Sequence, residues 1–126
     1  MLEVLIPRDI SGNALTSLPD RFDTLPTLAN INAASNNLTG PIPTTLLTHP
    51  TLKTLNLASN GYTGEIVINS VNLTSIALNR NQLTSVRIME GSGLVKVDLA
   101  DNQFQGLLPD FTTSPYLQIF DASNNK

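Results

Sequence analysis

A motif of the form Leu-x-x-Leu-x-Leu-x-x-Asn recurs along the chain, and its asparagine marks the phase. Asn13, Asn36, Asn60, Asn81, Asn102 and Asn125 follow one another at intervals of 23, 24, 21, 21 and 23 residues. A period in the low twenties marks a solenoid, in which each unit buries its apolar residues against its neighbours instead of in a core of its own. Such arrays present one extended surface to a partner and seldom carry catalytic residues.

The units start near residues 5, 28, 52, 73, 94 and 117, and together make residues 1–126 a single array. Unit two reads Leu28, Ile31, Ala33, Asn36, Leu38, Gly40, Ile42, Pro43. Unit three reads Leu52, Leu55, Leu57, Asn60, Tyr62, Gly64, Ile66, with Val67 in the place of Pro. Unit four is Leu73, Ile76, Leu78, Asn81, Leu83; unit five is Leu94, Val97, Leu99, Asn102, Phe104, Gly106, Leu108, Pro109. Unit six stops at Leu117, Phe120, Ala122, Asn125. In unit one (Leu5, Arg8, Ile10, Asn13, Leu15) an arginine stands where an apolar residue is expected, so fraying is expected there.

Pairs such as Ile31/Ala33, Leu55/Leu57, Ile76/Leu78 and Val97/Leu99 have the period of a strand, with both members inward and the residue between them outward. Stacking of the units then gives a parallel sheet of about six short strands. An asparagine amide both donates and accepts, so the six Asn side chains are expected to form a structural ladder that satisfies turn backbone inside the seam. Gly40, Gly64 and Gly106 each follow the ladder Asn by four residues and supply a turn. The apolar residues after them suggest a second extended segment. The spacing of Phe22, Leu25 and Leu28 suggests instead a helical turn on the convex side, where Tyr62 is also expected.

A length of 126 residues allows one domain. Only 40% of the residues are hydrophobic and 5% aromatic, with no Trp. That is thin for a deep core but suits a narrow seam. The net charge of −3 and a pI of about 4.8 argue against nucleic acid, which needs clustered Lys and Arg. Nothing supports contact with an anionic membrane. Without cysteine there is no disulfide or thiolate metal site. Residues 1–10 lack the apolar core of a leader, no stretch approaches a membrane span, and the chain stops at Asn124-Asn125-Lys126 within the repeat pattern. It is expected to be a segment of a longer array.

These motifs resemble the leucine-rich repeat superfamily over essentially the whole chain. Units two, three and five are similar to its plant-specific subclass, Leu-x-x-Leu-x-Leu-x-x-Asn-x-Leu-x-Gly-x-Ile-Pro, typical of receptor-like kinase ectodomains, receptor-like proteins and polygalacturonase inhibitors. Units one and four lack the Gly-x-Ile-Pro segment. The resemblance implies a β-rich α/β solenoid, a right-handed superhelix with a concave parallel sheet. It also implies a protein or peptide ligand on that sheet, no cofactor, and an extracellular or cell-surface location if the parent is receptor-like. The alternative is a cytoplasmic scaffold or regulatory array within a larger signalling protein.

On the ligand face the residues fall into columns. One reads Asp9, Asn32, Asn56, Ala77, Asp98, Asp121, and another Pro7, Asn30, Thr54, Ser75, Lys96, Ile119. Two more contain Asn79, and Arg80 with Asp101. The candidate partner-binding residues are Asn32, Asn56, Asn79, Arg80, Lys96, Asp98, Asp101 and Asp121. Two readings stand side by side. Small residues relieve crowding between strands about 4.8 Å apart. The charges gathered toward the C-terminal units offer selectivity. Arg80 and Asp101 can pair on adjacent strands, whereas Asp98 and Asp121 repel unless a cation or basic group lies between them. Flat strands seldom supply the six to eight oxygens calcium takes, so no metal is assigned.

His49, the single histidine, precedes Pro50 and is expected in a surface turn; no nucleophile or acid is placed to complete a triad. No phosphate-binding loop occurs. Asn37-Leu38-Thr39 and Asn72-Leu73-Thr74 match the N-glycosylation sequon and are expected to be exposed. The chain is not expected to be an enzyme.

Overall fold

The computed structural model describes residues 8–89, 92–107, 109 and 114–126. Leu5, Pro7 and Leu108, to which the periodicity gives places in units one and five, lie outside the described residues. In chain order the elements are β1 (Arg8–Asp9), a 3₁₀ turn (Phe22–Thr24), β2 (Asn30–Asn32), β3 (Thr39–Gly40), α1 (Thr44–Leu47), β4 (Thr54–Asn56), β5 (Gly61–Ile68), β6 (Ser75–Ala77), β7 (Gln82–Ile88), β8 (Lys96–Asp98) and β9 (Ile119–Asp121).

The one-strand-per-unit reading holds. A six-stranded parallel sheet runs in the order β1-β2-β4-β6-β8-β9. From β2 onward each strand has its apolar centre in register with the next, Ile31 on Leu55, Leu55 on Ile76, Ile76 on Val97 and Val97 on Phe120, whereas β1 sets Arg8 on Ile31. The second apolar residues lie just past the strand ends, yet their N–H groups continue the ladder. Leu57 donates to Ala77 O, Leu78 to Asp98 O and Leu99 to Asp121 O, at 2.9, 2.8 and 2.7 Å. Leu28, Leu52, Leu73 and Leu94 enter the seam from the other side of each strand and are buried. One contiguous apolar cluster therefore passes from unit to unit.

Where the chain leaves each strand, it turns through a left-handed residue. Gly12, Ser35, Ser59, Arg80, Asp101 and Asn124 all have φ between 54° and 65°. This turn strands backbone groups inside the seam, and the next residue, the ladder Asn, meets them. Asn81 is representative. Its Nδ2 donates to Leu57 O of the preceding unit and to Leu78 O of its own, both at 3.0 Å, and its Oδ1 accepts Tyr62 N–H at 3.0 Å. Asn36, Asn60, Asn102 and Asn125 repeat this three-way pattern. Asn13 is exposed and, among the described residues, bonds to Ile10 O and Ser11 O of its own turn.

The opposite side differs from unit to unit for reasons readable in the backbone chemistry. Unit one makes the 3₁₀ turn, which buries Phe22. In unit two β3 lasts two residues, because Pro41 and Pro43 have no N–H to give to a ladder. Pro43 then leads into the four-residue α1. Unit three has Val67 where unit two has Pro43, and β5 runs on to eight residues. Unit four has no proline there, and β7 extends over seven. The three strands form a second parallel sheet, β3-β5-β7, with a register shift between Gly64 and Glu65 where Gly64 takes φ 88°.

Two expectations are corrected here. Tyr62, expected on the convex surface, is 2% exposed and lies in the seam, because the inward phase of β5 places it there. Its hydroxyl is buried without a hydrogen-bond partner. His49, expected in a surface turn, is 1% exposed. Its Nε2 lies 3.0 Å from both Phe22 O and Leu25 O, so that nitrogen carries the hydrogen, and its Nδ1 accepts Thr51 N–H. The imidazole thus joins the unit-one turn to the end of unit two.

Leu57→Ala should cost ~2–5 kcal/mol through the cavity it leaves in the seam. Asn60→Ala should cost ~1–3 kcal/mol through the backbone groups it strands. Ser59→Ala, in the exposed turn, should shift the denaturant midpoint least of the three. Burial pushes the Tyr62 phenol up from 10.0 to about 12. Its neutral form is therefore favoured in the folded state, and this stabilisation, complete below the unfolded value, is lost as pH rises through the folded one. Tyr62→Phe should gain ~1 kcal/mol at neutral pH by removing an unpartnered hydroxyl. It should also lose the part of the alkaline destabilisation between pH 10.0 and about 12 that wild type shows in paired urea melts.

Candidate functional site

The outward residues of the six-stranded sheet stand in the predicted columns. Asp9, Asn32, Asn56, Ala77, Asp98 and Asp121 are successive register partners, and so are Asn30, Thr54, Ser75, Lys96 and Ile119. The first column has a second task that the sequence did not reveal. Asn32, Asn56, Asp98 and Asp121 each use Oδ1 to accept the N–H two residues on, from Ala34, Ala58, Ala100 and Ser123, at 3.2, 3.1, 3.1 and 2.9 Å. Asp9 does the same for Ser11. Such Asx turns end these five strands, and the Asn32 side chain also bonds the Asp9 carboxylate in the neighbouring strand. Ala77 interrupts the series, so Asn79 has no Asx partner at that position.

These bonds also set the electrostatics. The Ser123 backbone N–H and then its hydroxyl hold the Asp121 carboxyl below its ordinary 3.8. At Asp9 the Ser11 hydroxyl acts first and its N–H second, in the same direction. The charges of Asp98 and Asp121 therefore face backbone donors as well as each other.

Arg80 and Asp101 sit in the left-handed turn just past the strands, not on the strands as expected. They still approach, with Arg80 Nε 3.8 Å from Asp101 Oδ2, and both side chains are exposed. An exposed pair of this kind contributes at most ~1 kcal/mol. Asn124 Nδ2 donates to Asp101 Oδ1 at 2.9 Å, which extends the link to unit six. Lys96 is exposed and Asn79 half-buried. Arg80, Lys96, Asp98, Asp101 and Asp121 thus share the sheet's C-terminal end, with exposed Ile119 beside Lys96. Asn32 and Asn56 lie two and one strands further toward β1 than β6.

A third set was not recognised as a set in the sequence. His49, Ser70, Ser92 and Ser114 begin successive units on the side opposite the Asn ladder, and all are buried. Ser70 Oγ donates to His49 O, and Ser92 Oγ accepts Leu94 N–H as His49 Nδ1 accepts that of Thr51. The common feature is a polar side chain two or three residues ahead of the unit's first leucine, a weaker signal than the Asn because the residue type changes. Among the described residues no group of three or more His, Cys, Asp or Glu is placed to hold a metal ion. No described helix is long and apolar enough to cross a membrane.

No family model matches the chain. It is 32% identical over 102 residues to an uncharacterised leucine-rich repeat-containing protein of Schizosaccharomyces pombe, a match covering 80% of this chain and 13% of that protein. Among solved structures it is similar to the Arabidopsis receptor kinase HAESA, determined with the peptide hormone IDA and the co-receptor SERK1. There the TM-score is 0.54 and the identity 21%, over 94% of this chain and 30% of that one. It is also similar to a plant ice-binding protein at a TM-score of 0.49 and 21% identity, over 94% of this chain and 57% of the other. The chain thus spans a small part of the curated relative and of the receptor kinase it matches.

The lowered Asp121 value has a stability consequence. The contribution is present above the ordinary 3.8 and is lost as pH falls through the folded-state value. Asp121→Asn keeps the Oδ1 acceptor without the charge, so it should fall slightly below wild type near neutral pH and converge with it in acid. Asp121→Ala should be weaker throughout. Urea midpoints between about pH 7 and about pH 2 read both effects.

Proposed function

We propose, for a chain that is a leucine-rich repeat solenoid, that it forms part of a receptor-like or secreted protein and recognises a protein or peptide ligand through its six-stranded sheet. The observation that carries this reading is the clustering of Arg80, Lys96, Asp98, Asp101 and Asp121 at one end of a sheet whose other outward residues are small and polar. Asn32, Asn56 and Asn79 extend the same surface. A backbone satisfied from within leaves outward groups free for a partner, and charged groups held in register select a partner by complementarity and speed its encounter. The Arabidopsis receptor kinase of similar fold was solved with a peptide hormone, which supports this class of ligand.

The area available is modest. Six strands about 4.8 Å apart and about 13 Å wide give about 300 Å², against ~800 Å² per partner in a standard interface. Residues 1–126 therefore serve as one segment of a longer array, which supplies the remaining contacts. The corresponding location is extracellular or at the cell surface, with a cytoplasmic scaffold as the alternative. Recognition, not catalysis, is the role.

Panning the protein against a displayed random-peptide library tests the face. Binders should be lost on joint Asp98→Asn and Asp121→Asn substitution, which removes both charges and keeps both backbone acceptors, and kept on Thr84→Ala, an exposed site on β7. Retention after charge removal, with loss at Thr84 or Arg87, would move the site to the second sheet.

A further inference from the structure

We infer that Asn37 is the N-linked oligosaccharide acceptor of this chain in the secretory pathway, and that Asn72, though it matches the same sequon, is a structural clamp. The inference rests on the location proposed above, but its chemistry is separate from ligand binding. Both sequons place a buried leucine in the middle, Leu38 and Leu73, so both tripeptides are anchored to the seam. They differ in what their polar side chains do.

In the first sequon, Asn37 and Thr39 are exposed, and among the described residues neither side chain makes a hydrogen bond. The Asn37 backbone is held, its N–H donating to Leu15 O at 2.8 Å, so the amide projects from a fixed turn. The neighbouring unit presents Gly61 here, where a Cβ would meet Thr39 Cγ2 at 3.1 Å and Leu38 O at 3.2 Å. Glycine thus keeps the space beside the sequon open.

In the second sequon both polar groups are engaged with the preceding unit. Asn72 Nδ2 donates to Pro50 O, and Thr74 Oγ1 donates to Lys53 O at 3.1 Å. One unit earlier, Thr51 holds the place of Asn72 and makes an equivalent bond back, to Leu28 O at 2.7 Å. Asn72 and Thr51 therefore tie units four and three to their predecessors along this flank.

The chemistry turns on the amide nitrogen. Nδ2 attacks the anomeric carbon of a lipid pyrophosphate-linked oligosaccharide. The nitrogen–carbon bond forms, the bond from that carbon to the pyrophosphate oxygen breaks with its electron pair, and Nδ2 releases one proton. Transfer takes place on the unfolded chain, and the product must then fold. At Asn37 folding meets no obstacle, because the substituted nitrogen has no partner to lose. At Asn72 the sugar takes one of the two Nδ2 hydrogens and must fit beside Pro50 O, on the flank where this side chain clamps the preceding unit. Asn37 also lies on the link between the two sheets, after β2 and before β3, so an oligosaccharide there leaves the six-stranded face clear.

The test is expression of the full chain behind a secretory leader in eukaryotic cells, followed by peptide N-glycosidase treatment and mass mapping of the Asn-to-Asp conversion. One oligosaccharide is expected, at Asn37, absent from Asn37→Gln and from Thr39→Ala. Asn72→Gln should retain it and melt at a lower temperature. An oligosaccharide on Asn72 of the folded, secreted chain, or a bare Asn37, overturns the inference. Expression within the full-length parent under its own targeting separates the two readings: Asn37 modified with the added leader but bare in the parent refutes the extracellular location and leaves the acceptor assignment standing.

Discussion

An asparagine amide offers two hydrogens and an acceptor oxygen, and the turn after each strand leaves stranded just such a set of complementary backbone groups. Everything else in the array follows from that match. Nδ2 bridges the carbonyl of its own unit to that of the preceding one, and Oδ1 takes an N–H from the chain's return path in the preceding unit, as Asn102 does with Leu83. No other side chain of this size both donates twice and accepts without a charge. The bonds couple adjacent units directly, so the apolar seam is held in register by a polar one alongside it. At Asn13, among the described residues, the amide bonds to carbonyls of its own turn.

Much of this was legible in the sequence because the period carries both phase and register. The six strands, their parallel order and the columns of outward residues all follow from the spacing of Leu and Asn. What the period does not report is the partner of an inward polar group. His49 looks like a turn residue when only its neighbours in sequence are considered. It is buried because Phe22 O and Leu25 O, from the unit before, need a donor. Tyr62 carries a hydroxyl that suggests a surface, but its place in β5 is apolar, and the ring outweighs the hydroxyl. A second extended segment was legible in the apolar residues after the glycines, but its length, set by the absence of proline at Val67 and in unit four, was not, because the period does not report how far a strand runs.

The proposed ligand face also acquires a constraint. Asn32, Asn56, Asp98 and Asp121 are at once outward-facing and responsible for ending their strands. Truncating any of them removes a ligand group and a backbone acceptor together, so loss of binding by an alanine variant is ambiguous. Exchange between Asp and Asn keeps the acceptor and changes only the charge. The column can therefore vary in charge from unit to unit, as it does here from Asn at the centre to Asp at both ends, without a change of backbone.

Two sheets placed back to back bear on curvature. A solenoid bends when one side advances further per unit than the other, as happens when helices about 10 Å across pack behind strands about 4.8 Å apart. Over units two to four the rear of this array is itself a parallel sheet, so front and rear advance by the same strand spacing. That stretch should be close to straight, a ribbon more than a bowl. A ribbon suits a partner laid lengthwise across successive rungs, with one or two residues per unit, and gives little purchase to a rounded body that needs to be enclosed.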